Sequence, residues 1–475
     1  MKISYWMTQA LVYLVLLMSQ HLTAHSKGAY FWVGKLVLSE AVQLDVALEY
    51  TASGTPVTAK FHSVTQSSFD IKVSQVSIIN QEIRFTIPSL MAAYHGVFVK
   101  DTLIKGELKQ GSNTPWTLNF NKVNRFPFAK PYRPQEPTGI PAYFEKEVRF
   151  ENAKAGITLA GTLTLPKGKN DFPTVVLLTG SGPNDRDHSI FGHKNFLVLA
   201  DFLTKAGIGV LRVDDRGVGA SGGSFASASV LDLADDASAA VDFLSAYPGI
   251  NAQKIGLIGH SLGAELAAVV AAKNRKVHFI VMMAGGAQPL SEVILEQTKL
   301  IYKNKVSTAA LDLNTALLEL LFQSLQNNDD LVSAKLQFTE GLEKLNPKAA
   351  LLTKEELQIL ELESPLTTKG FNHFFTPNWK IDLFYDCTVD LAKTTIPVLA
   401  LNGNLDTQVV PDNLKIIEKV LSARSNSKHK TILYDGLNHL FQPADTGLPE
   451  EYKDIEITID EAVVSDMITW IRNIN

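Results

Sequence analysis

The stretch IGLIGHSLGAELAAVVAA, residues 255–272, contains the pattern that decides the fold. An apolar run leads directly into Gly-x-Ser-x-Gly, and a run with helical character leaves it. A strand that turns sharply into a helix at such a pattern presents the serine hydroxyl above the sheet, at the N-terminus of the helix. Gly259 and Gly263 are the small residues that this crowded turn needs. The stretch therefore predicts a strand–turn–helix unit with Ser261 as a nucleophile.

A second Gly-x-Ser-x-Gly pattern, Gly219–Gly223, places Ser221 at its centre. The pattern alone is weak, because a chain of this length and average composition matches it by chance about once in several proteins. Residues 222–229 form a Gly- and Ser-rich loop, and the next helical pattern begins only after it. The context therefore favours Ser261 over Ser221.

A serine nucleophile needs a base and an acid that orients the base, here expected in the order Ser, Asp, His after successive strands. The apolar run 397–401 is followed by Asp406, and the run 431–434 is followed by His439. We therefore predict a triad of Ser261, Asp406 and His439. The other histidines weighed for the base are His188, His193, His260 and His373, of which His373 is the strongest rival.

The tetrahedral intermediate needs preorganised N–H donors for its oxyanion. We predict one at the N–H of Leu262, where the helix begins, and one at the N–H of Ser181, in the glycine-rich loop 179–187. Gly182 and His260 are candidates for the substrate pocket. Asp185 and Arg186, with Asp187, are predicted to lock the loop by charge, and substrate contact is the alternative.

A second charged run, Asp214, Asp215 and Arg216, follows the apolar run 208–213. Ion pairs and side-chain bonds to the backbone that fix the loop are the favoured interpretation, since Asp commonly acts in this way in turns. Substrate binding is the minority interpretation.

Apolar strands alternate with helical patterns from residue 145 onward, which predicts a mainly parallel sheet covered by helices on both faces. The predicted strands are 147–150, 157–165, 174–178, 208–213, 254–258, 278–283, 397–401 and 431–434; the helices are about 194–206, 229–246, 262–273, 412–422 and 459–473. A structureless loop as long as the gap at about 287–385 is improbable. Amphipathic patterns at 291–302, 313–325, 331–345 and 354–362 instead predict a helical lid.

The N-terminal part of the chain has a different organisation. Residues 1–24 combine Lys2 with an apolar run and a small residue at the end, as in a secretory signal peptide. Residues 27–122 show the period-two pattern of about eight short strands, which predicts an all-β sandwich or barrel. Residues 123–144 contain five prolines and are predicted to be a linker.

The composition is that of a globular protein with room for two or three domains: 475 residues, 45% hydrophobic, 20% charged and a net charge of −5. It carries no nucleic-acid signature. The single cysteine, Cys387, allows no intrachain disulfide and is expected to be an apolar filler. We expect no metal or organic cofactor, because neither a zinc-ligand spacing nor a phosphate-binding loop is present.

From Glu145 to the C-terminus the chain resembles bacterial α/β-hydrolase esterases akin to the serine-aminopeptidase-like group. The resemblance is carried by the Gly-Ser-Gly-Pro-x-Asp-Arg-Asp loop at 180–187 and by segments 191–194, 212–219, 399–403 and 436–442. It implies an α/β-hydrolase fold and esterase activity, with Ser261, Asp406 and His439 in the triad positions. The β-rich N-terminal part resembles the module that often precedes this catalytic domain in exported relatives.

The favoured hypothesis is therefore a periplasmic or secreted serine carboxylesterase acting on small-molecule esters, without stable membrane insertion after signal removal. A peptidase or amidase with the same triad is the second hypothesis, and would need carboxylates such as Glu265 or Asp185 for a substrate amino terminus. A binding protein is the third, in which the β module holds an unknown ligand or surface and the hydrolase domain is degenerate.

Overall fold

The structure is a computed structural model that describes residues 29–38, 43–51, 57–66, 68–110, 115–168, 171–424 and 428–474. The predicted signal peptide, residues 1–24, lies outside the described residues. Two large sheets are present, and residues 124–143 connect them without a helix or strand. None of the helices in the described part of the chain combines the length and apolar character that crossing a membrane requires.

The first sheet contains ten antiparallel strands, two more than the approximate prediction. They are β1 (Ala29–Val37), β2 (Gln43–Thr51), β3 (Thr58–Ser63), β4 (Ser68–Lys72), β5 (Ser74–Ile79), β6 (Glu82–Ile87), β7 (Ala92–Lys100), β8 (Leu103–Gln110), β9 (Trp116–Thr117) and β10 (Phe120–Val123). The order is β4-β3-β2-β1-β10-β8-β7-β6-β5, with β9 beside β8. The sheet curls into a nearly closed barrel, because β3 approaches β5, and Trp32, Phe85 and Tyr94 are buried inside it.

The second sheet contains all eight strands that the sequence predicts. They are β11 (Phe144–Asn152), β12 (Ile157–Leu165), β13 (Thr174–Leu178), β16 (Gly209–Val213), β17 (Ile255–His260), β18 (Phe279–Met283), β19 (Val398–Gly403) and β20 (His429–Tyr434). Their order is β11-β12-β16-β13-β17-β18-β19-β20; β11 and β12 are antiparallel, and the strands from β16 to β20 are parallel. Two short strands, β14 (Ser189–Ile190) and β15 (His193–Lys194), form a hairpin that the sequence did not predict.

Helices cover both faces of the second sheet, as predicted. Helices α2 (Val230–Ala246), α3 (Leu262–Lys273) and α10 (Asp412–Ser422) pack on one face; α1 (Asn195–Lys205) and α11 (Glu461–Ile474) pack on the other. Strands β13, β17, β18 and β19 are buried along their whole length. This explains why their sequences are continuously apolar rather than alternating.

The long insertion before β19 is helical and has its own apolar core. Its helices are α4 (Leu290–Tyr302), α5 (Thr308–Asn327), α6 (Leu331–Ala349), α7 (Lys354–Ile359), α8 (Pro377–Phe384) and α9 (Cys387–Lys393). The first four correspond to the predicted lid helices. The sequence does not predict α8 and α9, which are only about two turns each.

Candidate active site

The serine lies on a strained turn between β17 and α3. Ser261 has φ 56° and ψ −123°, a backbone conformation that non-glycine residues rarely adopt and that costs about 1–3 kcal/mol. The turn is close-packed: a Cβ on Gly259 would lie 1.9 Å from the Gly263 carbonyl oxygen, and one on Gly263 would lie 2.1 Å from the Leu178 oxygen. Both predicted glycines are therefore required sterically, and the turn has the geometry expected of a nucleophile elbow.

The predicted acid and base are in contact with each other. Asp406 Oδ2 lies 2.8 Å from His439 Nδ1, and both side chains are almost fully buried. The other oxygen, Oδ1, accepts the backbone N–H groups of Gln408 and Val409, each at 2.8 Å. The carboxylate is thus fixed by backbone at one oxygen and orients the imidazole with the other.

Ser261 and His439 line the same cavity. In the described chain the Ser261 hydroxyl makes no hydrogen bond to the imidazole. Such catalytic contacts commonly tighten only when substrate occupies the site. The cavity is where an ester carbonyl would meet both groups.

Two further histidines pack behind His439 and act on its position. His260 Nε2 donates to the His439 carbonyl oxygen at 2.9 Å, and the two rings lie 4.7 Å apart. His188 packs on His260 with the ring centroids 5.3 Å apart. Burial lowers the pKa of His188 to about 3 and holds the pKa of His260 well below its usual range. Both rings are therefore uncharged at neutral pH. His260 holds the backbone of His439 in place and does not itself act as the base.

The loop that follows β13 is shaped by Asn184. Its side-chain amide donates to the carbonyl oxygens of Gly180, Ser181 and Gly182 at 3.1, 3.3 and 2.8 Å. In a trans peptide unit the C=O of one residue and the N–H of the next point in opposite directions. The N–H of Ser181 therefore points away from Asn184.

This orientation matters because the loop lies beside the nucleophile. A Cβ on Gly180 would lie 3.3 Å from the Ser261 Cβ. The second donor, the N–H of Leu262, is at the first position of α3, where it has no partner four residues earlier. In this arrangement the N–H groups of Ser181 and Leu262 can both donate to an oxyanion formed at Ser261. Asn184 was missed by sequence analysis, since its role depends on carbonyl directions that no local pattern reveals.

The charged residues of this loop pair with groups of the sheet and of the loop itself. Arg186 binds Asp214 in a bidentate pair, with Nε to Oδ1 at 3.1 Å and Nη2 to Oδ2 at 2.7 Å. Asp187 pairs with Arg212. Asp185 accepts the backbone N–H of Asp187 and of Ser189, each at 3.1 Å.

The neighbouring Asp215 and Arg216 are also used internally. Asp215 accepts the Asn184 N–H at 2.8 Å and the Thr179 hydroxyl at 2.9 Å, and burial raises its pKa to about 8. Arg216 pairs with Asp236 at 2.6 Å. Their partners lie within the protein, so this run fixes the loop that holds Asn184.

The Ser221 hydroxyl is engaged in two hydrogen bonds to the backbone. Its hydroxyl donates to the Asp214 carbonyl oxygen at 2.7 Å and accepts the Ala160 N–H at 2.9 Å. It does not line the cavity that contains Ser261.

Cys387 is buried, and its thiol lies 3.4 Å from the Gly286 carbonyl oxygen, as expected of a filler.

The remaining rival histidines lack a carboxylate partner within the described residues. His193 contacts the Thr458 hydroxyl and the Tyr452 carbonyl oxygen, both at 3.0 Å. His373 lines the cavity but packs against Phe374 and Trp379, and burial lowers its pKa to about 4. Neither has the orienting acid that His439 has.

Glu265 is a half-buried carboxyl group that lines the cavity, one helical turn after Ser261. Its Oε1 packs against Gly286, where a Cβ would lie only 2.5 Å away. Burial raises the pKa of Glu265 to about 8, helped by the nearby Asp382 and Asp386. At neutral pH this carboxyl group is therefore mostly protonated and can both donate and accept a hydrogen bond.

One group of side chains in the described residues has metal-ligand spacing, and it lies on the first sheet. One ligand atom each of Glu49, His62 and Asp70 falls within 4.8 Å of the others. Asp70 is already paired with Lys60 at 2.9 Å and with Lys130, and its N–H donates to His62 Nδ1 at 3.1 Å. Because two lysines already balance the acidic charge, the group joins the linker to the sheet rather than holding a cation.

Comparison with protein families matches residues 193–442 to Hydrolase_4, described as serine aminopeptidase, S33. The match covers more than half of the chain and includes Ser261, Asp406 and His439. The chain belongs to this family. The second sheet with its covering helices is accordingly an α/β-hydrolase domain.

Relatives of this Hydrolase_4 member include esterase EstD of Thermotoga maritima, 27% identical over 333 residues, which are 70% of this chain and 69% of EstD. The Pseudomonas aeruginosa protein PA2218 is 29% identical over 184 residues, covering 38% of this chain and 44% of its own. The crystal structure of PA2218 aligns with 74% of this chain and all of its own (TM-score 0.43, 18% identity). Est1E of Butyrivibrio proteoclasticus, solved with ferulic acid, aligns with 69% of this chain and 98% of its own (TM-score 0.40, 16% identity).

Proposed function

We propose that this protein is a serine carboxylesterase that works through an acyl-enzyme. The observation that carries the proposal is the strained Ser261 turn on the wall of a cavity that His439, paired with Asp406, also lines. The relative EstD, named an esterase, aligns with more than two thirds of the chain and supports ester rather than amide substrates.

In the proposed reaction the Ser261 oxygen attacks the ester carbonyl carbon, and His439 Nε2 accepts the serine proton. The N–H groups of Leu262 and Ser181 bind the oxyanion, and each is worth about 3 kcal/mol of transition-state stabilisation. His439 then gives the proton to the leaving alkoxide. Water, deprotonated by His439, attacks the acyl-enzyme, and the acid leaves as Ser261 regains its proton.

We also propose that the protein is exported, since residues 1–24 have the composition of a signal peptide. Fractionation of cells that express the full chain would place the enzyme in the periplasm or medium. Retention in the cytoplasm with residues 1–24 intact would contradict this part of the proposal.

The test of function is the hydrolysis of p-nitrophenyl acetate, butyrate and octanoate by the mature protein and by two serine variants. Ser261→Ala should lose several orders of magnitude in kcat. Ser221→Ala is the matched control: it removes a serine hydroxyl from the same kind of motif but outside the cavity, and should stay within a fewfold of the parent. Equal loss in both variants, or full activity in Ser261→Ala, would reject the assignment.

Amide hydrolysis is the second candidate, favoured by the family description and by the uncommitted carboxyl group of Glu265 in the cavity. Aminoacyl p-nitroanilides assayed beside the esters separate the two. A kcat/KM on the anilides that exceeds the value on the esters would make the protein a peptidase with the same triad.

A further inference from the structure

The cavity that contains the nucleophile extends well beyond the catalytic domain. Its volume is about 2270 Å³, whereas pockets for small ligands commonly measure about 300–1,000 Å³. Its walls include Ser261 and His439 at one end and strands β1, β2, β3 and β8 of the first sheet at the other. A small ester would therefore leave most of the cavity empty.

The far end of the cavity has an apolar wall, next to polar lining residues such as Lys60 and Ser63. Leu36 and Leu44 face each other across β1 and β2, and Val46 follows on the same face of β2, because strand side chains alternate. Val73 and Leu108 complete this wall, and all five side chains are buried and line the cavity. We call this apolar end, formed by the concave face of the first sheet, the β chamber.

The β chamber is held against the catalytic domain by the linker. Arg133 donates to the carbonyl oxygens of Gly192 at 3.1 Å and Lys453 at 2.7 Å, on the catalytic side. Three residues earlier, Lys130 pairs with Asp70 of β4. Residues 130–133 thus bind both domains. The two walls of the cavity are therefore held next to each other in the folded protein.

The linker ties the first sheet to segments that lie next to the loop carrying His439: Arg133 binds the carbonyl oxygens of Gly192 and Lys453. Leu440, Pro449, the β14–β15 hairpin and Arg133 all line the cavity. The hairpin is bound to the loop that carries His439, because Gln442 Nε2 lies 2.9 Å from His193 Nε2. The lid helix α4 instead approaches α3, because its Val293 and the Glu265 carboxyl group both lie beside Gly286.

This placement selects one part of the substrate. His439 must deliver a proton to the leaving oxygen, so the alcohol part of an ester lies on its side of the nucleophile. We propose that the β chamber binds the hydrocarbon chain of the alcohol part of a long-chain ester, while the acyl part lies under the lid. The inference rests on the proposed esterase function and names the substrate class of the same site.

The test uses ethyl and octyl butyrate, which share an acyl group, and p-nitrophenyl butyrate and octanoate, which share a leaving group. Each methylene that enters an apolar site contributes roughly fourfold to kcat/KM, so the parent should prefer octyl over ethyl butyrate by tenfold or more. Ala92→Phe places a phenyl group into the β chamber, because Ala92 is buried on β7 and lines the cavity. It should lower the octyl-to-ethyl ratio about tenfold and leave the octanoate-to-butyrate ratio unchanged.

Ala93→Phe is the matched control, since Ala93 is the next residue on β7, is exposed and lies outside the cavity. Its ratios should equal those of the parent. Val46→Phe, on the opposite wall, is the second filling variant, and retained hydrolysis of ethyl butyrate shows that either variant is folded. An unchanged octyl-to-ethyl ratio in a folded filling variant would overturn the proposal. A fall in the octanoate-to-butyrate ratio instead would also overturn it, because the chamber would then hold the acyl chain.

Calorimetry of 1-octanol with the full-length Ser261→Ala protein tests binding to the β chamber in the absence of turnover. We expect saturable binding that Ala92→Phe weakens about tenfold and Ala93→Phe does not. If the parent hydrolyses no ester but 1-octanol binds in this way, the proposed function fails and the chamber stands. If esters are hydrolysed but 1-octanol does not bind, the chamber fails alone.

Discussion

Asp406→Asn separates the two tasks of the Asp406 carboxylate. Its Oδ1 accepts two backbone N–H groups, from Gln408 and Val409, and its Oδ2 faces His439 Nδ1, all at 2.8 Å. Asparagine can keep its carbonyl oxygen at the two N–H groups and must then place its NH2 against the imidazole. An NH2 group only donates, so Nδ1 must accept and the ring proton moves to Nε2. The base is then in the wrong tautomer to accept the Ser261 proton.

The expected loss in kcat is about ten-thousandfold, which corresponds to about 5 kcal/mol in the activation free energy. KM should change little, because Asp406 lies behind the imidazole and does not line the cavity. Thermal stability should also change little, since both backbone N–H groups keep a partner. Asp406→Ala differs: two buried N–H groups lose theirs, which costs about 1–3 kcal/mol each.

The assay is p-nitrophenyl butyrate kinetics for the parent and both variants, together with thermal unfolding followed by circular dichroism. The reasoning predicts similar kcat losses in the two variants and a lower Tm in Asp406→Ala alone. A loss in kcat below tenfold for a folded Asp406→Asn protein would refute the role of Asp406 as the orienting acid.

Three further predictions concern the elbow, the loop lock and the cavity carboxyl group. Gly259→Ala should abolish soluble folded protein or lower Tm by many degrees, because its Cβ would lie 1.9 Å from the Gly263 oxygen. Arg186→Lys keeps the charge but loses the bidentate pair with Asp214; we expect a loss of about 2 kcal/mol in the free energy of unfolding, measured with urea, and a lower kcat as the oxyanion loop loosens. Glu265 has a pKa of about 8 when folded and 4.5 as its ordinary value, so folding takes up a proton and stability falls as the pH rises from about 5 to 8. Glu265→Gln should remove this fall, so that its Tm exceeds that of the parent above pH 8 and the difference shrinks toward pH 5.

Much of the catalytic domain follows from local sequence. Strands 157–165 and 174–178 were predicted with the bounds that the structure has, because they are apolar runs ended by turn residues. The positions predicted for Ser261, Asp406 and His439 follow from the rule that functional residues lie just past the carboxyl ends of parallel strands. Each of these features depends on a short segment of the sequence.

The features that the sequence did not predict depend on contacts between distant residues. Arg133 binds the Lys453 carbonyl oxygen, 320 residues away, and neither residue has a local pattern that indicates the other. Asn184 is recognisable as a loop residue, yet its role depends on three carbonyl groups turned toward it. The cavity that joins the two domains has the same origin, since one wall comes from strands of the first sheet and the other from loops and helices of the catalytic domain, far apart in the sequence.

The strain at Ser261 and the charged lock of the neighbouring loop serve one requirement. The proposed oxyanion donors come from two separate segments, Leu262 at the start of α3 and Ser181 after β13, so both must be fixed before substrate arrives. The first is fixed by the packing of Gly259 and Gly263 around the turn. The second is fixed by Asn184, whose own N–H is held by the buried Asp215. Holding the donors in this way costs folding free energy. Burial of the large apolar cores on both faces of the sheet offsets that cost.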